Sequence, residues 1–338
     1  MNMTTNRIKV LDCTLRDGGY VNDWKFGDDN AKAIVNELSS TGIDYIEVGF
    51  IKLCDYEKDK IQFNQMSQVA NLFKPIKQKL SLIVEVGYGY PVDLFPRHSE
   101  DTVDLVRVIM WKRMLKEGLE YCKQLIEKGY EVGVQATRTE QYSDEEFADF
   151  VRMFSSINPK GIYIVDTFGL LDKKALLRYA EIADANMGEG ICLGYHAHNN
   201  MQQAFSNAVA MSEHIWSHDI MLDASVFGMG RGAGNLCLEL LLNYLNTNFQ
   251  AGYDINPIYN VADKYIIPFF NDTPWGYSLP YQLSALNGRN PSYVDYIQKY
   301  KLSIPQTKEL FETMNSKNVG ITFDTEMCDE LINKIIAH

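Results

Sequence analysis

No cysteine of this chain stands in a CxxC pair. The six present (Cys13, Cys54, Cys122, Cys192, Cys237 and Cys328) are scattered through 338 residues. That spacing argues against a thiolate zinc site and for reduced, mostly structural thiols. Positive charge is also in short supply. The chain has 32 Lys and Arg against 44 Asp and Glu, a formal net charge of −12. An acidic chain without a basic cluster is a poor candidate for binding nucleic acid or an anionic membrane surface. No apolar run approaches the roughly 18–20 residues that span a bilayer. The opening stretch MNMTTNRIKVLDCTLRDGG lacks the long apolar core of a secretory leader, so a cytoplasmic location is expected. Linkers rich in Gly/Ser or Pro, internal repeats and low-complexity tracts are missing as well, which argues against loosely tethered domains.

What the sequence does contain is regular alternation. Short apolar runs over 8–13, 44–50, 80–86, 105–110, 130–136, 161–167, 191–198 and 219–226 read as eight strands. Helical spacing follows most of them, over 28–42, 112–129, 143–157, 173–188, 201–214 and 235–248. Ser143 and Glu146 stand in capping-box spacing at the start of one such helix. The stretch 51–79 is irregular or helical. Alternating strands and helices imply parallel strands joined by right-handed crossovers. Eight repeats in about 250 residues fit a closed α/β barrel, the (β/α)8 or TIM barrel. An open doubly wound sheet is the alternative, weakened because no GxGxxG follows the first strand. Residues 1–250 are therefore expected to form the barrel. Residues 251–338, rich in aromatics and then polar and helical, are expected to form a C-terminal α-helical extension packed on it.

In such barrels the active site lies at the C-terminal ends of the strands, and chemistry gathers there in this sequence. The seventh strand ends in GYHAHNN (194–200). Residues i and i+2 of a strand share a face, so His196 and His198 would project side by side, a spacing that suits one metal ion. A pair of satisfied structural histidines is the competing reading. A carboxylate to complete the site could come from Asp12 or Asp17, in DCTLRDGGY (12–20). Two imidazoles, a carboxylate and water suit Mn²⁺, Mg²⁺, Co²⁺ or Zn²⁺, with Mn²⁺ or Mg²⁺ expected first. Arg16, beside Asp17, could hold an anionic oxygen such as the enolate of a 2-oxo acid, or could merely pair with Asp17 at the barrel rim. The glycine-rich GMGRGAGN (228–235) could cradle an anion or simply close the barrel.

Taken together, LDCTLRDGG, HAHNN and DASVFGMGRGAGN resemble the metallolyase branch of the TIM barrels, the DRE-TIM or hydroxymethylglutaryl-CoA lyase-like superfamily. The FGMGRGAGN form is most similar to the 4-hydroxy-2-oxovalerate aldolases. The resemblance covers about residues 8–248. It implies that Asp17, His196 and His198 are metal ligands, with Asn235 a further one. It implies that Arg16 stabilises the enolate, that Glu47 and Thr167 lie near the substrate, and that Tyr281 reaches the site from the C-terminal region. The aldolases carry a histidine as acid/base three residues after the motif aspartate, where this chain has Tyr20. An ordinary tyrosine titrates near 10 and is a poor base at neutral pH. Tyr20 could donate a hydrogen bond, yield its role to another group or water, signal a different substrate, or only shape the pocket.

The expected activity is divalent-metal-dependent cleavage or formation of a carbon–carbon bond in a 4-hydroxy-2-oxo acid through a pyruvate-type enolate, with a 2-oxo acid and an aldehyde as partners. A Claisen-type synthase joining an acyl-CoA to a 2-oxo acid and a non-catalytic metal-binding barrel are the alternatives. A homodimer is the default assembly. The C-terminal part does not match the aldolase segment that docks an aldehyde dehydrogenase, so that partner is not expected.

Overall fold

The computed structural model describes residues 8–337. Part of the stretch on which the leader expectation rests, residues 1–7, lies outside them. Eight parallel strands close into a barrel: β1 (Ile8–Asp12), β2 (Tyr45–Ile51), β3 (Lys79–Glu85), β4 (Leu105–Met110), β5 (Glu131–Thr137), β6 (Gly161–Asp166), β7 (Cys192–Ala197) and β8 (Ile220–Ala224). Each pairs with its sequence neighbour, and β1 closes the ring by pairing with both β8 and β2. The expected strands are therefore all present, with ends displaced by a residue or two.

Seven helices of six residues or more follow these strands: α1 (Asp28–Ser39), α2 (Met66–Phe73), α3 (Leu115–Glu127), α4 (Asp144–Ser155), α5 (Lys173–Asn186), α6 (Ala204–Glu213) and α7 (Leu238–Phe249). The irregular region 51–79 resolves into a loop, a two-residue strand Gln62–Phe63 paired with β2, and α2. Between β3 and β4 there is only the short turn Val92–Leu94. Helix α4 starts as its sequence dictates. Ser143 Oγ accepts from the Glu146 N–H at 3.3 Å, and the Glu146 carboxylate accepts from the Ser143 N–H at 2.8 Å, which satisfies two otherwise orphaned donors.

Alternation along each strand sends side chains to two different cores. Val10, Ile46, Val106 and Ile162 join the large apolar layer between barrel and helices. Their neighbours Leu11, Tyr45, Leu105 and Tyr163 meet in a smaller cluster with Cys192 and Met221. That inner cluster plugs the barrel. Tyr163 occupies its middle only because β7 carries a glycine beside it. A Cβ on Gly194 would fall 2.3 Å from the Tyr163 ring.

Beyond α7, the helical run Asn256–Asp272 still belongs to the barrel's core, through Ile258, Val261 and Ile266. Helices Leu279–Leu286, Ser292–Ile297, Ile304–Ser316 and Thr325–Ile336 build a second core around Tyr293, Phe311 and Ile332. Among the described residues, no helix is long and apolar enough to cross a membrane.

Gly194→Ala should overpack the plug and lower stability by about 1–3 kcal/mol. A urea-denaturation midpoint checks this. An unchanged midpoint would show that Tyr163 can move aside.

Candidate active site

Above the Tyr163 plug lies a layer of ions. Arg107 projects inward from the middle of β4 and is fully buried, its guanidinium 5.1 Å from the centre of the Tyr163 ring. Its Nε donates to Glu47 Oε1 at 2.7 Å and its Nη2 to Glu47 Oε2 at 3.0 Å. Its Nη1 donates to Asp223 Oδ2. The carboxylates come from β2 and β8, so one guanidinium ties three strands together. Burial works against ionising Asp223, but Arg107 and then His196 outweigh it and hold its pKa below the ordinary value.

This layer carries the next one. Glu47 Oε2 also accepts from Arg16 Nε at 2.6 Å, and Arg16 Nη1 donates to Asp17 Oδ1 at 2.6 Å. Arg16 Nη2 makes no hydrogen bond within the described residues. Asp223 Oδ2 lies 2.9 Å from His196 Nδ1, which leaves His196 Nε2 to face Asp17 Oδ2 at 3.6 Å. His198 Nε2 stands 3.8 Å from the same oxygen. Asn235 Nδ2 donates to it as well, while Asn235 Oδ1 is buried with no partner. Gly230 makes room for this amide, since a Cβ there would come within 2.6 Å of it.

Asp17, His196 and His198 thus present three ligand atoms within 4.8 Å of one another, all buried. The two imidazole contacts to Asp17 are too long for hydrogen bonds. They suit donors gathered round one cation, which takes N and O ligands at about 2.0–2.2 Å. A carboxylate on the far nitrogen of His196 is the usual support for a metal-binding imidazole. The residues present therefore fit a divalent cation. Of the two candidate aspartates only Asp17 faces the histidines. Asp12 is engaged by Thr14, whose N–H and hydroxyl donate to its two oxygens at 3.1 and 2.5 Å.

Electrostatics agree. Burial alone would raise the pKa of Asp17, but Arg16, His198 and His196 hold it well below the ordinary range. Burial lowers His198 to about 4, only partly opposed by Asp17. Burial pulls His196 down too, yet Asp17 and Asp223 together raise it. One deprotonated carboxylate and at least one neutral imidazole are the protonation states that a metal requires.

The three ligand atoms open into a cavity of about 410 Å³ at the C-terminal ends of the strands. Arg16, Tyr20 and Thr167 line it. Glu47 is not among its lining residues and instead sits beneath, holding Arg16 and Arg107. Tyr281 is not brought here. Its hydroxyl donates to Asp295 at 2.6 Å, and it lines a neighbouring groove under the helical extension, which also touches Tyr20 and Arg231. The cavity adds residues that sequence reasoning missed. Glu85 ends β3, and Gln135 and Thr137 face inward from β5, with Gln135 Nε2 and Thr137 Oγ1 buried and unpartnered. Asn290, Thr322 and Phe323 reach over from the extension. Arg107 itself had one sequence signal, a charged residue in the centre of the apolar strand LVRVIM.

Removing one partner of a buried ion cluster strands the others. Arg107→Met should cost about 3–5 kcal/mol, read from denaturant unfolding. Lys79→Met, which breaks a half-exposed pair with Glu131, should cost no more than about 1 kcal/mol. Equal losses would contradict a supporting role for the ion layer.

Comparison with known proteins places the fold and the family. Oxaloacetate decarboxylase of Mycobacterium tuberculosis is 25% identical over 306 residues, covering 88% of this chain and 88% of its own. A 4-hydroxy-2-oxovalerate aldolase of Carboxydothermus hydrogenoformans is 26% identical over 276 residues, 78% of each. The crystal structure of hydroxymethylglutaryl-CoA lyase from Pseudomonas aeruginosa shares the fold, with a TM-score of 0.62 over 78% of this chain and 93% of its own at 19% identity. Residues 7–264, well over half of the sequence, match the HMGL-like family, and the chain belongs to that family of lyases.

Proposed function

We propose that this protein is a divalent-metal-dependent lyase that cleaves or forms a carbon–carbon bond in a 4-hydroxy-2-oxo acid through a pyruvate enolate. One observation carries the reading: Asp17 Oδ2 faces the Nε2 atoms of His196 and His198 in a cavity that also holds Arg16. A bound Mg²⁺ or Mn²⁺ would supply Lewis-acid stabilisation of the 2-oxo acid's oxygens, with Asp17, His196 and His198, and Asn235 beside them, as the residues to hold it.

The chain's own groups account for the rest. The 2-oxo acid places its carboxylate against the unpartnered donors Gln135 Nε2 and Thr137 Oγ1. Its keto oxygen lies within reach of Arg16 Nη2, which Glu47 and Asp17 hold rigidly from behind. A base takes the 4-hydroxyl proton, the C3–C4 bond breaks, and an aldehyde leaves. The bond's electron pair becomes the enolate, whose charge Arg16 shares. A proton returned to C3 completes pyruvate.

Tyr20 is unsuited to be the base, because loss of water around its hydroxyl pushes its pKa up. Glu85 suits the role. It is a carboxylate on the cavity wall, with no ion-pair partner among the described residues, and it accepts one hydrogen bond, from Trp111 Nε1 at 2.6 Å. Burial raises its pKa above the ordinary carboxylate value, against the Trp111 hydrogen bond that lowers it, which makes it a stronger base. The decarboxylase and aldolase names of the relatives meet at one intermediate, since loss of CO₂ from oxaloacetate also leaves a pyruvate enolate. That shared species makes enolisation the property to test first.

Hydrogen exchange at the pyruvate methyl group, followed by NMR in D₂O, should be absent in EDTA-treated protein, return with Mg²⁺ or Mn²⁺, and stay absent in a folded His196→Ala variant. Metal-independent exchange would refute the reading. In aldol cleavage Glu85→Gln should lower kcat at least tenfold and abolish the acidic limb of the kcat–pH profile. A retained limb would assign the base elsewhere.

A further inference from the structure

We infer that the cavity mouth holds a second anion-binding point centred on Arg231, so that the substrate carries a carboxylate or phosphate on the part that becomes the aldehyde. The assignment of that part rests on the aldol reading above; the anion site itself does not. Arg231 rises from the glycine-rich loop 228–235 and lines the same cavity as the candidate metal ligands. Among the described residues, no carboxylate lies within ion-pairing distance of it. Its Nη2 is committed to the extension, donating to Asn290 Oδ1 and, at 2.8 Å, to Ser292 Oγ. Its Nε is buried without an acceptor, and its Nη1 has none either. The guanidinium is therefore fixed at one corner while two donors go unused. Tyr20 supports it from one side, with its ring 5.5 Å away.

Asp295 and Glu85 feel the charge of Arg231 but neither is within ion-pairing distance, and a cation half-withdrawn from water gains from an anion in direct contact. The donors deeper in the cavity are Gln135 Nε2, Thr137 Oγ1 and Arg16 Nη2, enough for the 2-oxo acid end. Arg231 belongs to a different part of the site, since it is held by the extension and touches the adjoining groove as well. A second guanidinium, Arg113, lines the cavity and packs 5.6 Å over the Trp111 ring, likewise without an ion pair among the described residues. Guanidinium groups match carboxylate and phosphate geometry with paired donors. The competing role for Arg231 is a strut that merely joins the loop to the extension.

The test compares two five-carbon acids, 2-oxoglutarate and 2-oxopentanoate, which differ only in a terminal carboxylate against a methyl group. Isothermal titration of the Mg²⁺-loaded protein should show at least tenfold tighter binding of 2-oxoglutarate. Arg231→Gln should abolish that preference, leave 2-oxopentanoate within twofold, and remove binding of inorganic phosphate, measured separately on metal-free protein. Arg231→Lys should retain part of each. Equal affinities in the wild type, a loss in Arg231→Gln that strikes both acids alike, or no binding of either acid or of phosphate would overturn the proposal. Arg231-dependent anion binding without pyruvate exchange would instead overturn the aldol reading and leave the anion site standing. Condensation of pyruvate with succinate semialdehyde against butanal, and with glyceraldehyde 3-phosphate against glyceraldehyde, then assigns the group as carboxylate or phosphate. A rate advantage for neither acidic aldehyde would overturn its placement on the aldehyde part.

Discussion

The Arg107 guanidinium has no contact with water, and moving such a charge out of water costs several kcal/mol. It stays charged because Glu47 and Asp223 face it from two other strands and because the Tyr163 ring lies beneath it. Everything above inherits its position from this cluster. Glu47 passes the constraint to Arg16, and Asp223 passes it to His196. Arg16 then holds one oxygen of Asp17, Asn235 holds the other, and His196 is aimed at it. The site is thus built on strands and supported by ions whose partners are spent on one another, an arrangement that leaves little freedom for the groups facing the cavity. A glycine on β7 is part of the same construction, since without it the ring that supports Arg107 would not fit.

The buried charges also explain why this site would suit a cation. Asp17, Glu47 and Asp223 meet only two guanidiniums, so the cluster carries an excess of negative charge at its upper edge, where Asp17 Oδ2 faces two imidazoles. Part of that excess is met by the raised proton affinity of His196. A divalent ion would displace the proton and leave the cavity positive, ready for an anionic substrate. Arg16 then serves two neighbours at once, with one edge holding Asp17 and the remaining nitrogen free for the oxygen that gains charge.

The barrel was legible because its strands are apolar runs of five to seven residues at regular intervals, a pattern that burial on both faces requires. His196 and His198 were legible because the period of a strand is two. Arg107 stood out only as a charge inside the apolar run LVRVIM, and its role was not legible, since only the closed barrel brings Glu47 and Asp223 to it. Glu47 was expected beside the substrate and lies one layer lower, because the inward positions of β2 are stacked and its own is below the rim. Tyr281 was placed in the site by resemblance alone. Its helix belongs to the second hydrophobic core, and its hydroxyl is taken by Asp295. The two-residue strand after β2 carries too few residues for a period to be read from sequence.

The replacement at Tyr20 links these observations. A histidine there would place an imidazole, with a proton to gain or lose near neutrality, beside the arginine of the glycine-rich loop. A tyrosine offers that guanidinium an aromatic face instead, which attracts a cation without neutralising it. Among the described residues no carboxylate stands within ion-pairing distance of Arg231, which leaves it open to a ligand, and on the aldol reading the proton-accepting task falls to Glu85 on the wall of the same cavity. Because Asn290 and Ser292 hold Arg231 in place, the helical extension becomes part of the binding site. The barrel alone would present the candidate metal ligands and Arg16 but leave the cation at the mouth unanchored. In this chain the change of one residue beside the motif aspartate, the arginine in the loop and the packing of the last helices are physically coupled. A change in any one of them alters the charge that a substrate meets on entering.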